Sequence, residues 1–78
     1  MARYFFDSRD GGVLMRDDEG LELSSLEAAQ FAATRGLADW AKDAIPGAGS
    51  RELAIEVRDG SDHQVFFASL TFQASSPS

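Results

Sequence analysis

Residues 24–46, SSLEAAQFAATRGLADWAKDAIP, decide the fold, because they contain the one long stretch with helical periodicity. Ser24 and Glu27 match a capping box, in which each side chain accepts a hydrogen bond from an otherwise unpaired backbone N–H. Pro46 cannot continue a helix, so the pattern predicts one helix over residues 25–44. The apolar side chains that share its inner face are Leu26, Ala29, Ala33, Leu37, Trp40 and Ala44.

Two strand-like runs precede this helix and two follow it. The runs are rich in aromatic and β-branched residues or alternate between apolar and polar ones, which is typical of strands. Turn signals at residues 10–12 and 59–62 separate the runs within each pair. The four runs are residues 3–8, residues 13–23 with a polar interruption at 17–20, residues 52–59 and residues 64–72.

A single helix can cover one face of a four-stranded sheet, which predicts a two-layer α+β domain of order β-β-α-β-β. The first and last runs are the most aromatic, whereas the second and third carry more charge. Charge suits the edges of a sheet, since it discourages pairing with foreign strands. We therefore expect the strand order 2-1-4-3, with the first and fourth strands central and parallel and the helix as a right-handed crossover. The alternative is an antiparallel order with a different central strand.

Composition indicates one small domain. The chain has 78 residues, no cysteine and a net charge of -6; we expect a single domain over residues 1–74 and a disordered tail over residues 75–78. The negative charge repels phosphate groups, which argues against nucleic-acid and membrane binding and suits either solubility or a basic protein partner. No apolar run reaches the ~20 residues of a membrane span, and the first residues lack the apolar core of a signal peptide, so we expect a cytoplasmic protein.

The sequence shows no catalytic, cofactor-binding or metal-binding motif. His63 is the sole histidine and lies in a predicted turn, and no nucleophile elbow surrounds Ser61 or Ser69. The acids between Asp7 and Glu19 do not follow the ligand spacing of a calcium loop. We therefore expect no catalytic residue, no cofactor, no metal and no enzymatic activity.

One helix leaves the second face of the sheet open, and strand parity places apolar side chains on that face. Phe5 and Phe67 are expected to lie close together there, on adjacent central strands. A bulge would change the parity and bury one of them instead. Phe31 lies opposite Leu37 on the helix, where it either seats a partner helix or tucks under a loop. The candidate interface residues are Phe5, Ala54, Val65, Phe67, Thr71 and Phe31.

Four segments occur in an order that resembles a known family: RYFFD (residues 3–7), DDEGLEL (17–23), LEAA (26–29) and RELAIEVRD (51–59). The resemblance is to short hypothetical proteins of rhizobia and related alphaproteobacteria that carry a domain-of-unknown-function label (family 6894). It implies a cytoplasmic bacterial protein with no assigned activity, and so no catalytic residues to transfer. A weaker resemblance, to HicB-type antitoxins, covers only the first half of the chain, where residues 18–20 precede the Ala-rich helix.

These observations predict a non-enzymatic interaction module that acts as a homodimer through the open face of the sheet. The alternative is an antitoxin-like inhibitor that masks a basic protein partner, which would fit the net charge of -6. The partner is therefore expected to be either a second copy of the chain or a basic protein.

Overall fold

The computed structural model of the protein describes residues 1–77. It is an α+β domain in which one helix packs on one face of an antiparallel sheet of five strands. The predicted α+β class with a single helix is confirmed. In chain order the elements are β1 (Ala2–Asp10), β2 (Val13–Met15), β3 (Leu21–Leu23), α1 (Leu26–Ala44), β4 (Ser50–Arg58) and β5 (Gln64–Gln73).

Helix α1 begins one residue later than the predicted capping box. Its N-cap is Ser25, whose hydroxyl accepts a hydrogen bond from the Ala28 N–H at 3.1 Å, so the prediction that Ser24 caps the helix is wrong. At the other end the Ile45 N–H donates to the Ala41 carbonyl at 2.9 Å, directly before Pro46. The helix therefore ends at Ala44 as predicted, begins one residue later than predicted, and has a different cap.

The strand order is β2-β1-β4-β5, and β3 also pairs with β1. The predicted second strand is two short strands, because residues 16–20 leave the ladder between β2 and β3. The predicted third and fourth strands are β4 and β5 of the structure. The predicted order 2-1-4-3, which sets the fourth strand beside the first, is wrong, since the third strand, β4, lies beside β1. Strands β1 and β4 are antiparallel, not parallel, and β5 is an edge strand. The alternative of an antiparallel order with a different central strand describes the molecule.

The charges of β4 explain why it occupies the centre. Glu56 and Arg58 project from the face of the sheet without the helix, where they pair with β1: Arg9 Nε lies 2.9 Å from Glu56 Oε2, and Arg58 Nε lies 2.9 Å from Asp7 Oδ2. Arg51 lies on the helix side of β4, where it donates to Asp10 and to the Ala44 carbonyl. Charge on this strand therefore stabilises a neighbouring strand instead of protecting an edge. The opposite side of β4 is the most buried strand surface, with Leu53 and Val57 almost completely buried.

The hydrophobic core lies between α1 and the sheet. Its helical side consists of small residues, which let the helix approach the sheet closely. Phe66, Ala68 and Leu70 of β5 pack against the core, as expected from their alternation. Residues 1–77 contain no helix with the length and apolarity needed to cross a bilayer. The core residues are Ala29, Ala33, Leu37, Ala41, Leu53, Ile55 and Val57.

The predicted tail over residues 75–78 falls partly outside the described residues, because Ser78 is not among them. Just before it, the Ala74 N–H donates to the Gly49 carbonyl at 2.8 Å and so extends the ladder between β4 and β5.

Candidate interaction surface

The face of the sheet opposite α1, here called the helix-free face, carries four of the six predicted interface residues. Register places Phe5, Ala54, Phe67 and Thr71 on it. Val65 is not there: a bulge sets Arg58 opposite Gln64 and Val57 opposite Phe66, so Val65 turns toward the helix and packs against the core. Phe31 lies on the helix and is 67% exposed, on the other side of the molecule. It does not tuck under a loop.

Phe5 and Phe67 do not lie on adjacent strands. Strand β4 separates them, with Arg58 opposite Phe5 and Glu56 opposite Phe67. The Phe5 ring is instead covered within its own chain, because the Arg58 guanidinium lies 4.6 Å from its centroid. Gly20 closes the other approach: a Cβ there would come within 2.9 Å of two Phe5 ring carbons. Phe5 is therefore a packed side chain rather than an open contact surface.

Beside Phe5, a buried ion pair joins β1 to β4. Arg58 donates to both carboxylate oxygens of Asp7, at 2.9 and 3.2 Å, and also to the Asp17 carbonyl at 2.6 Å. The Asp17 N–H donates to Asp7 Oδ1 at 2.9 Å. Burial alone would raise the pKa of Asp7, but the hydrogen bonds from Arg58 and Asp17 and the charges of Arg58 and Arg16 outweigh it and lower the pKa. Asp7 is thus held as a carboxylate that anchors the loop between β2 and β3.

Asp17 organises that same loop. Its carboxylate accepts hydrogen bonds from the N–H groups of Phe6, Glu19 and Gly20, at 3.0, 3.0 and 3.1 Å. Burial opposes ionisation, but these three donors and the charge of Arg58 lower the pKa of Asp17 overall. The acid-rich loop is therefore held by backbone hydrogen bonds, and among residues 1–77 no three His, Cys, Asp or Glu side chains form a group suited to a metal ion.

Most cationic side chains are already paired with carboxylates of the same chain. Arg3, Arg9, Arg16, Arg51 and Arg58, five of the seven Lys and Arg residues, lie within 4 Å of a carboxylate oxygen. The net charge of -6 is consequently carried by acids that have no such partner in the described part of the chain. Exposed examples are Asp18, Glu19, Glu27, Asp39 and Asp43.

A shallow pocket of ≈ 290 Å³ opens on the helix-free face between β4 and β5. Ala54, Ser69 and Thr71 contribute small side chains to its lining, and Phe67 contributes a large one. Phe67 remains 50% exposed, whereas Ala54 is buried. A half-exposed aromatic ring next to small residues is an arrangement suited to protein contact. Strand parity predicted that Phe67, Ala54, Ser69 and Thr71 share this face, and the register sets Ser69 opposite Ala54.

The arrangement shows no constellation for acid–base chemistry around His63. Its side chain is 78% exposed in the turn between β4 and β5, and Nδ1 lies 3.7 Å from Asp59 Oδ2. The Asp59 carboxylate instead accepts hydrogen bonds from the N–H groups of Ser61 and His63, at 2.9 and 3.0 Å, and these bonds shape the turn.

Comparison with known families gives one match. The family model described as Domain of unknown function (DUF6894) matches residues 3–71, which is most of the chain. Neither the search of curated proteins nor the search of solved structures found a match. The chain belongs to the DUF6894 family.

Proposed function

We propose that this DUF6894 protein is a small, cytoplasmic, non-enzymatic interaction module that acts as a homodimer. The observation that supports the proposal is the pocket on the helix-free face, where Phe67 is 50% exposed beside the small side chains of Ser69 and Thr71. Phe67, Ser69 and Thr71 form one strip of β5 with a large side chain at one end and small ones beside it. Two copies of this strip in opposite directions are therefore complementary in shape. A two-fold contact can place Phe67 of each copy against Ser69 and Thr71 of the other.

Enclosing the exposed part of Phe67 supplies part of the free energy that a dimer needs, and further contacts must supply the rest. A phenylalanine buries ~200 Å² when fully enclosed, so the half still exposed on Phe67 amounts to about 100 Å². At ~25 cal/mol per Å², enclosing it contributes about 2.5 kcal/mol per protomer before association costs. Ser69 and Thr71 are uncharged, but Arg9 and Glu52 also line the pocket, so covering it costs some desolvation of charge.

Sedimentation velocity over a dilution series tests the proposal with Phe67→Lys and a matched control, Phe31→Lys. Lysine at position 67 faces Glu56 across the strand pair, so we expect the fold to be retained. The wild type and Phe31→Lys are expected to dimerise alike, whereas Phe67→Lys is expected to raise the dimer Kd by on the order of 100-fold. A dimer that tolerates Phe67→Lys but not Phe31→Lys would move the interface to the helix, and a wild type that stays monomeric would refute the proposal.

The second candidate function is an antitoxin-like inhibitor of a basic protein. It is favoured by the internal pairing of five arginines, which leaves exposed carboxylates on the helix and on residues 18–19 free to meet a cationic partner. Affinity co-purification of the tagged protein from its native cytoplasm, read by mass spectrometry, separates the two functions. A stoichiometric basic protein supports the inhibitor, whereas recovery of the chain alone supports the homodimer.

A further inference from the structure

Strand β5 is a long edge strand with an unpaired outer side. It spans Gln64–Gln73, ends the sheet order and, among the strands formed by residues 1–77, pairs with β4 alone. Edge strands of this length are normally protected by charge, proline or a covering segment, because their free N–H and C=O groups bind other strands. The opposite edge follows that rule in another way, because it consists of two strands of only 3 residues each, β2 and β3, joined by a loop that contains Arg16, Asp18 and Glu19.

By contrast, β5 has no charge at all. Residues 64–78 contain no Asp, Glu, Lys or Arg, so every charged side chain of the chain precedes them. In a molecule of net charge -6, this strand is where two copies can approach with the least repulsion. An acidic or basic segment of another protein would find no ion-pair partner along β5, which favours a second copy as the occupant.

The backbone of β5 also identifies which groups face outward. The Ala74 N–H donates to the Gly49 carbonyl at 2.8 Å, so residues 49 and 74 form a hydrogen-bonded pair of the antiparallel ladder. Hydrogen-bonded and non-hydrogen-bonded pairs alternate along an antiparallel ladder. Phe72, Leu70 and Ala68 therefore form hydrogen bonds with β4, in what is here called the inner ladder. On the other side of β4, the Gly11 N–H donates to the Glu52 carbonyl at 2.9 Å, which agrees with this alternation. The residues whose backbone N–H and C=O groups point away from β4 are Phe67, Ser69, Thr71 and Gln73.

We infer that the outer edge of β5 pairs antiparallel with β5 of a second copy, joining two sheets into one across a two-fold axis. The inference rests on the proposed homodimer and specifies how it forms. Residues directly opposite each other in an antiparallel pair have their side chains on the same face of the sheet. A two-fold axis through the pair therefore sets residues with outward-pointing backbone groups opposite one another. With Ser69 at the axis, Phe67 lies opposite Thr71 of the second copy, which is a favourable aromatic and β-branched pair. Both helices then cover the same face of the joined sheet.

The test compares Ser69→Pro with Ser69→Ala. Because the Ser69 N–H points away from β4, proline removes an outward donor and leaves the inner ladder intact, whereas alanine keeps the donor and changes only the side chain. We expect Ser69→Ala to dimerise like the wild type and Ser69→Pro to raise the dimer Kd by on the order of 100-fold in sedimentation velocity. Circular dichroism and urea unfolding establish that each variant is folded.

Thr71→Lys is the second variant, in case Ser69→Pro does not fold. The new lysine side chain lies opposite Glu52 of its own chain, so the fold should tolerate the substitution. It also places a positive charge on each copy at the joined edge, which opposes pairing of the two strands. Loss of the dimer in this variant supports edge pairing. A wild-type dimer that persists in both Ser69→Pro and Thr71→Lys would overturn edge pairing and leave the homodimer proposal standing. A wild type that is monomeric at every concentration would overturn both.

Discussion

Replacing Asp7 with asparagine is expected to destabilise the protein far more than the matched change on a neighbouring ion pair, Glu56→Gln. The Asp7 and Arg58 side chains are only 8% and 14% exposed, whereas Arg9, the partner of Glu56, is 40% exposed. Removing one member of a fully buried pair costs ~3–5 kcal/mol. Because this pair lies at the surface of a thin two-layer domain, solvent screening reduces the cost to about 2 kcal/mol. The change in Glu56 is expected to cost less than ~1 kcal/mol.

Urea unfolding at pH 7, followed by circular dichroism and by the fluorescence of Trp40, measures both changes. For a domain of this size the total free energy of unfolding is ~4–12 kcal/mol, so the loss at Asp7 is large and lowers Tm by roughly 8–16 °C. The urea dependence should keep its slope, since the surface exposed on unfolding does not change. If Asp7→Asn costs no more than Glu56→Gln, then the Asp7–Arg58 pair does not hold β1, β4 and the loop together as described here.

Three further predictions follow from the same contacts. Gly20→Ala is expected to cost at least ~2 kcal/mol in urea unfolding, because φ is +72° and the new Cβ would clash with the Phe5 ring. The lowered pKa values of Asp7 and Asp17 mean that the folded protein binds fewer protons than the unfolded chain. The stability they contribute is complete above the ordinary Asp pKa of ~3.9 and is lost as the pH falls through their lowered pKa values, so the urea midpoint should hold from about pH 6 to pH 5 and fall at lower pH. Leu53→Ala should cost ~2–5 kcal/mol by the same assay, because Leu53 is fully enclosed. A urea midpoint left unchanged by any of these three would contradict the corresponding contact.

The helix and the strand parities could be predicted because they depend on local periodicity. Apolar spacing located α1, and alternation placed Leu53 and Val57 toward the core. The cap was missed by one residue because Ser24 and Ser25 are both good N-cap residues, and the structure uses Ser25. Local rules therefore specify the elements more firmly than their ends.

The strand order could not be predicted from charge, because charge has two roles in a sheet. Glu56 and Arg58 suggested an edge, but they project from one face only, and their partners Arg9 and Asp7 have the same spacing on β1. Such pairing across strands depends on contacts between residues far apart in the chain. The signal for a central position was the apolar run Leu53, Ile55 and Val57 on the face of β4 opposite Glu56 and Arg58.

The candidate surface was predicted in part. Parity placed Phe67 on the open face correctly, but the bulge at Val65 and the covering of Phe5 by Arg58 and Gly20 are long-range features that the sequence pattern does not contain. The position of β5 at the edge is the most informative departure from expectation. The uncharged edge of β5, where protection is normally found, is the observation on which the proposed self-pairing of this strand rests.

Residue-resolved amide hydrogen exchange of β5, measured by NMR at low and high protein concentration, tests this edge most directly. The account predicts that the N–H groups of Phe67, Ser69 and Thr71 exchange rapidly in dilute protein and become protected as the concentration rises. The N–H groups of Ala68 and Leu70 should be protected at both concentrations, because they donate to β4. Rapid exchange of the outward groups at every concentration would contradict self-pairing of β5.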